Sequence, residues 1–214
     1  MRFWVRTVCF LMLSFPVFAD YTLGVFGDSL AAGHGLLPKD AFYARLEKTL
    51  QEKGYAVSVL HASKSGVTTG EGLVRQQALL NKKPDGVILE LGINDAMRGI
   101  DLQTTENNLR VLIDNFSANQ IPVLLVGMKS TPNRSAAYRR QFEEMYQRLS
   151  DEYQLYLYPF FMEGIFTDIV GDRLISDKVL PDHLHPNPEG VEVMTMGILP
   201  TVEAFLQQQG VYPK

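Results

Sequence analysis

Five short apolar runs, Tyr21–Phe26, Ala56–Leu60, Gly86–Leu91, Ile121–Val126 and Leu155–Tyr158, alternate along the chain with segments whose apolar residues recur every three or four positions. Runs this short and this uniformly apolar read as strands covered on both faces. The segments between them, Ala41–Glu52, Thr69–Leu80, Leu102–Ala118 and Ala136–Tyr153, have the spacing of amphipathic helices. A last helix is expected over roughly Pro188–Gln208, after the turn sequence "HPNPEG", with Gly197 and Pro200 as irregular residues in its middle. Strict alternation of this kind restricts the chain to an α/β architecture. It predicts a three-layer α/β/α sandwich around a five-stranded parallel sheet with right-handed crossovers. In such sheets ligands bind beyond the carboxyl ends of the strands, where the strand order reverses.

The unusual polar residues gather where that rule puts a site. Gly27-Asp28-Ser29 follows the first strand, "HASKSGVTTG" the second and "GINDAMRG" the third, while "DHLHPN" precedes the last helix. Taken alone, Ser29 reads as a helix N-cap. A serine hydroxyl becomes a nucleophile only when a base takes its proton and a third group holds that base in one tautomer. Asp182 and His185, three residues apart, supply both, and Pro186 keeps the intervening loop out of helical geometry. His183 is the rival base, but it adjoins Asp182 and adjacent side chains diverge. His34 and His61 read as structural or rim residues. An attacked carbonyl also needs donors for the charge that builds on its oxygen. Gly66, whose N–H is open to close approach, and the side-chain amide of Asn94 fit that need, although each also reads as an ordinary loop residue.

Composition excludes several other classes. The 214 residues are 46% hydrophobic and 21% charged, enough for one sizeable core. The first nineteen form a separate unit, with Arg2 and Arg6 near the start, an apolar stretch from Val8 to Val17, and Ala19 before Asp20. That pattern reads as a cleavable export signal, which leaves residues 20–214 as one domain expected in the periplasm or outside the cell. The apolar stretch is too short for a membrane helix, so no stable membrane insertion is expected. Cys9, the only cysteine, lies inside the leader, and the mature chain must hold together without disulfides. With 20 basic and 24 acidic residues, and two of the basic ones in the leader, nucleic acid is not an expected partner. A monomer acting on a small molecule is.

Together, "FGDSL" with Ser29, "SKSG" with Gly66, "GIND" with Asn94 and "DHLH" with Asp182 and His185 resemble the four blocks of the SGNH, or GDSL, hydrolase superfamily, in order. Over essentially the whole mature chain, including "PFFME" at Pro159–Glu163, the sequence looks more narrowly like bacterial periplasmic thioesterase I/protease I enzymes and related arylesterases. The resemblance implies a flavodoxin-like sheet, Ser29 as nucleophile, His185 as base and Asp182 as its orienter. It also implies an oxyanion hole from the Ser29 and Gly66 backbone N–H groups with the Asn94 side chain, and no metal or organic cofactor. Asp28 and Asp95 are expected to fix their loops. Two positions depart from the family pattern: Ile93 stands where many relatives have a second glycine, and Val67 where thioesterase relatives often have an acid.

Several readings remain distinct from a serine esterase acting on acyl esters, thioesters or lysophospholipids. A carbohydrate-ester deacetylase would want a polar groove. A non-catalytic periplasmic acyl- or lipid-binding protein would need the pocket but no triad. A divalent-metal site from Asp28, Asp95 and Asp182 is conceivable. Neither a G-x-S-x-G elbow nor a phosphate-binding loop occurs. For substrate binding the candidates are Leu30, Met97, Phe161 and Met162, the last two in "YPFFMEGIF" as it leaves the fifth strand.

Overall fold

The computed structural model describes residues 21–166, 168–170 and 173–214. The expected leader, 1–19, lies outside the described residues.

The sheet is parallel throughout. It contains β1 (Tyr21–Gly27), β2 (Val57–His61), β3 (Gly86–Glu90), β4 (Val123–Val126) and β5 (Tyr156–Tyr158), in the order β2-β1-β3-β4-β5. β1 and β3 pair from Leu23 opposite Gly86 to Gly27 opposite Glu90. Every residue of β3 and β4 is buried, as expected of strands covered on both faces. The chain runs outward from β1 to β2 and then crosses back to β3, so the strand order reverses between β1 and β3. A crevice opens beyond their carboxyl ends.

The expected long helices form within a residue of their sequence bounds: α2 (Phe42–Glu52), α3 (Thr69–Leu80), α5 (Leu102–Ala118), α6 (Ala136–Tyr153) and α7 (Pro188–Gln208). Their starts are written in capping chemistry. Thr68 and Glu71 form a reciprocal capping box on α3, and Asp101, Ser135 and Asn187 accept N–H bonds at the starts of α5, α6 and α7. α7 continues through Pro200, and Gly197 inside it makes room for the Tyr158 hydroxyl, from which a Cβ would lie 2.5 Å away. α2 packs with α7, and α3 packs with α5.

The helix start expected at Ser29 is α1 (Ser29–Ala32), a four-residue helix directly beyond the carboxyl end of β1. A second short helix, α4 (Ile93–Arg98), occupies a stretch that reads as a loop, just beyond the carboxyl end of β3. An antiparallel pair, β6 (Asp168–Val170) and β7 (Arg173–Ile175), follows β5.

Candidate active site

Ser29 is placed by a tight junction. Gly27 ends β1 against β3, where a Cβ would fall 2.5 Å from Glu90 Oε2 and 2.8 Å from the Glu90 carbonyl oxygen, so only glycine fits. The next residue, Asp28, is fully buried; its N–H donates to Glu90 Oε2 (3.1 Å) and its Oδ1 caps α1 by accepting the Leu30 N–H (3.0 Å). Ser29 is then the first residue of α1, which Gly33 closes in the left-handed region at φ 74°. The result is a hydroxyl held at the crevice by a four-residue helix with little freedom to turn.

His185 arrives from the other end of the chain. Its Nε2 lies 2.9 Å from Ser29 Oγ and its Nδ1 lies 2.7 Å from Asp182 Oδ2. Asp182 Oδ1 also accepts the backbone N–H groups of Leu184 (2.9 Å) and His185 (3.0 Å). Desolvation pulls the Asp182 carboxyl upward, but the bonds from the His185 backbone, its ring and the Leu184 N–H outweigh it and hold the pKa at about 2. An ionised carboxylate only accepts, so the proton of His185 sits on Nδ1 and the lone pair of Nε2 faces the serine hydroxyl. The loop is anchored by the Leu180 N–H on the His185 carbonyl (2.7 Å) and by a bridge between Val179 and Pro186. His183 adopts φ 57° and takes no part in these bonds. His61 stacks on Tyr43, whereas the His34 ring lies 4.3 Å from that of His185 and its Nδ1 is 3.3 Å from Ser65 Oγ.

The sequence-expected oxyanion donors border the same cleft. Among the described residues, neither the Ser29 nor the Gly66 backbone N–H donates to a protein acceptor. Gly66 sits at φ 79°, and its carbonyl accepts from Arg98 Nη2 (2.6 Å), which fixes the turn. Asn94 lies on α4 rather than in a loop, and its amide is already engaged: Nδ2 donates to Asp28 Oδ2 (2.9 Å) and to the Val67 carbonyl (3.2 Å). Arg98 escaped the sequence reading, its reach from α4 to Gly66 having no periodic signature.

Glu90 escaped it too. It is fully buried at the end of β3, with Oε2 on the Asp28 N–H and Oε1 without a partner among the described residues. Burial first, then the neighbouring Asp28 charge, raises the Glu90 carboxyl well above the usual range; burial likewise raises Asp28, against the pull of Leu30 and Asn94 and with a push from Asp95. Tyr146 also faces this group, its hydroxyl donating to the Leu91 carbonyl (2.9 Å). Two carboxyls so placed keep a proton that the unfolded chain releases above about pH 4. The folded state therefore binds more protons, and stability should decline as pH rises from that point. The depressed Asp182 acts in the opposite sense, its contribution being lost as pH falls toward 2, but its exposed side chain makes that effect small. Glu90→Gln, which keeps the shape and removes the titration, is expected to flatten the decline in Tm between about pH 5 and pH 8. Parallel Tm profiles for the variant and the wild type would show that the pair holds no extra proton.

A cleft of about 1150 Å³ opens from Ser29. Leu30, Met97 and Met162 line it as expected from sequence. Phe161 does not. It is fully buried and meets Phe42 edge-on at 4.8 Å, because its N–H donates to the Gly127 carbonyl (3.0 Å) and draws the residue back under the sheet. Phe160 takes the place on the wall, joined by Phe166, Ile93 and Met128. Ser130, Arg139 and Glu143 make one side polar.

Asp28 and Asp95 are both committed to structure. Asp28 is described above, and Asp95 accepts from the Thr69 N–H (2.9 Å) and hydroxyl (2.5 Å), tying α4 to α3. The three-aspartate metal reading has no support in this arrangement.

This geometry has counterparts among known proteins. An arylesterase of Vibrio mimicus is 34% identical over 183 residues, 85% of this chain and 88% of its own. The thioesterase 1/protease 1/lysophospholipase L1 of Escherichia coli K12 is 36% identical over 178 residues, 83% of this chain and 81% of its own. Among solved structures, the psychrotrophic esterase EstA of Pseudoalteromonas sp. superposes with a TM-score of 0.80 at 28% identity, covering 88% of this chain and all of that one. The structure of TesA gives 0.78 at 32% identity over 86% of this chain and 98% of its own. The sequence model of one family matches residues 25–193, from the middle of β1 into α7. The chain belongs to the GDSL-like lipase/acylhydrolase family.

Proposed function

We propose that this ester hydrolase works through an acyl-enzyme on Ser29, with His185 as base and Asp182 as its orienter. The reading is carried by the unbroken run of bonds from Ser29 Oγ to His185 Nε2 and from His185 Nδ1 to Asp182. In the first half-reaction Ser29 Oγ bonds to the acyl carbon while its proton passes to Nε2. The C–O or C–S bond of the substrate then breaks, and the proton leaves with the alcohol or thiol. Water repeats the sequence, giving its proton to Nε2, releasing the acid and restoring the serine. The Ser29 and Gly66 N–H groups and the Asn94 amide meet the oxyanion in both halves. Two relatives are named arylesterase and thioesterase/lysophospholipase, and an EstA structure is described as inhibited by monoethylphosphonate, which supports acyl esters and thioesters as substrates here.

Export behind residues 1–19 belongs to the same proposal, supported by the charged and then apolar leader sequence. One experiment tests site and export together. Protein recovered from the periplasm and treated with a fluorophosphonate should have an intact mass that starts at Asp20 and gains one phosphonyl group, mapped to the peptide containing Ser29. A label on another residue, or none, removes the nucleophile assignment; a retained leader removes the export assignment.

The apolar walls favour an acyl chain over a sugar. Each buried methylene is worth about 0.8 kcal/mol, so activity should rise with acyl length until the cleft is filled. Met162→Ala is expected to flatten kcat/KM against chain length in a p-nitrophenyl ester series and leave the acetate ester little changed. Phe161→Ala should instead cost about 3–5 kcal/mol of stability and affect all chain lengths alike. Equal loss on every ester in the Met162 variant would place the acyl chain elsewhere.

A further inference from the structure

His34 has no part in the mechanism above, yet it is built into the mouth of the site. It stands between Gly33 and Gly35, both at positive φ, with its ring against His185 and its Nδ1 near Ser65 Oγ. Among the described residues, His34, Asp182 and His185 form the group whose ligand atoms, one from each side chain, lie within 4.8 Å of one another. Two imidazoles and a carboxylate, with water as a fourth ligand, are a donor set for zinc or copper. It suits magnesium and calcium poorly, since these want oxygen ligands and more of them. The cluster is reachable from solvent, and small side-chain rotations would bring the three donors to metal–ligand distance.

We propose that these three residues form an inhibitory site for a thiophilic or borderline divalent cation such as Zn²⁺ or Cu²⁺, by which such ions switch the hydrolase off reversibly. Both ring nitrogens of His185 are already engaged, one with Ser29 and one with Asp182. Whichever nitrogen takes the metal, one link is broken. Binding through Nδ1 displaces a proton to solvent and separates the ring from the Asp182 carboxylate, while binding through Nε2 removes the base from the serine. Metal occupancy and turnover are therefore mutually exclusive. His34 supplies the second nitrogen that makes the ion bind well enough to compete with these bonds.

The inhibition half of this proposal rests on the serine-hydrolase reading; the binding half does not, so two readouts are needed. In the first, ester hydrolysis by wild type, His34→Phe and His183→Gln is titrated with Zn²⁺, each normalised to its own metal-free rate, with Mg²⁺ as control. Wild type and His183→Gln should be inhibited and recover with EDTA, and Mg²⁺ should do nothing. Losing a direct ligand should cost no less than losing an outer-shell partner, so His34→Phe should need roughly tenfold more Zn²⁺ or beyond. In the second, one equivalent of Cu²⁺ is added and its electron paramagnetic resonance recorded. Coupling to two imidazole nitrogens is expected in wild type and to one in His34→Phe. Equal zinc sensitivity in wild type and His34→Phe overturns the inhibitory site. A single-nitrogen spectrum in wild type, or loss of the second nitrogen in His183→Gln instead, overturns the ligand set. A two-nitrogen spectrum from a protein with no hydrolytic activity would keep the site and defeat only the catalytic reading.

Discussion

Ser29→Ala is expected to lower kcat on p-nitrophenyl esters by roughly 10⁵–10⁶, the scale on which removal of a triad nucleophile acts. What survives is the part of catalysis that needs no nucleophile: the cleft and the free N–H groups of residues 29 and 66 still bind and polarise the ester. The fold should survive as well. The serine contributes one hydrogen bond, to His185, worth about 0.5–1.5 kcal/mol net, while α1 is started by Asp28 and closed by Gly33. Circular dichroism and Tm close to wild type, with a residual hydrolysis roughly 10³–10⁴ above the uncatalysed rate, is the expected pair of results. Substantial turnover in this variant would take Ser29 out of the chemistry.

Asn94→Ala should be the second largest effect, and a composite one. Loss of one oxyanion donor lowers kcat by roughly 10²–10³ with KM little changed, because the amide matters most when charge has developed on the oxygen. The same substitution leaves Asp28 Oδ2 without its donor in a fully buried position, which costs about 1–3 kcal/mol of stability. A donor serving the reaction alone would show the first effect without the second, so kinetics and thermal unfolding on one variant separate the two duties. A change confined to KM would make Asn94 a substrate-binding residue.

The two duties of Asn94 mark the boundary of what the sequence could convey. The main strands and long helices were legible because apolar periodicity is local. The parallel sheet and a site beyond its carboxyl ends followed from alternation, whereas the flavodoxin-like form of the sheet was implied by the family resemblance. Glu90 was not legible: it ends an apolar run and looks like the polar tip of a strand, and only the register of β1 on β3 places it against Asp28. Phe160 and Phe161 are neighbours of the same type, and which of them faces the cleft depends on a hydrogen bond to Gly127 from a distant strand end. The β6–β7 pair had a signal, Gly171-Asp172 between two strand-like triplets, but three residues are too few to register as a periodic run. Pairwise contacts across long separations, such as Arg98 with Gly66, leave no trace in spacing.

The Ser29–His185 bond closes across 156 positions, and its two ends leave the ribosome at opposite ends of synthesis. A partly made chain that carries β1, α1 and even the whole sheet has Ser29 but neither Asp182 nor His185, which come just ahead of α7. The hydrogen-bonded run from Ser29 to Asp182 can form only after the chain just ahead of α7 has been made and folded. On the mechanism and export proposed above, a chain threaded unfolded through a membrane pore would be inert on the side where it was translated. Chain order itself would then serve as the safety catch.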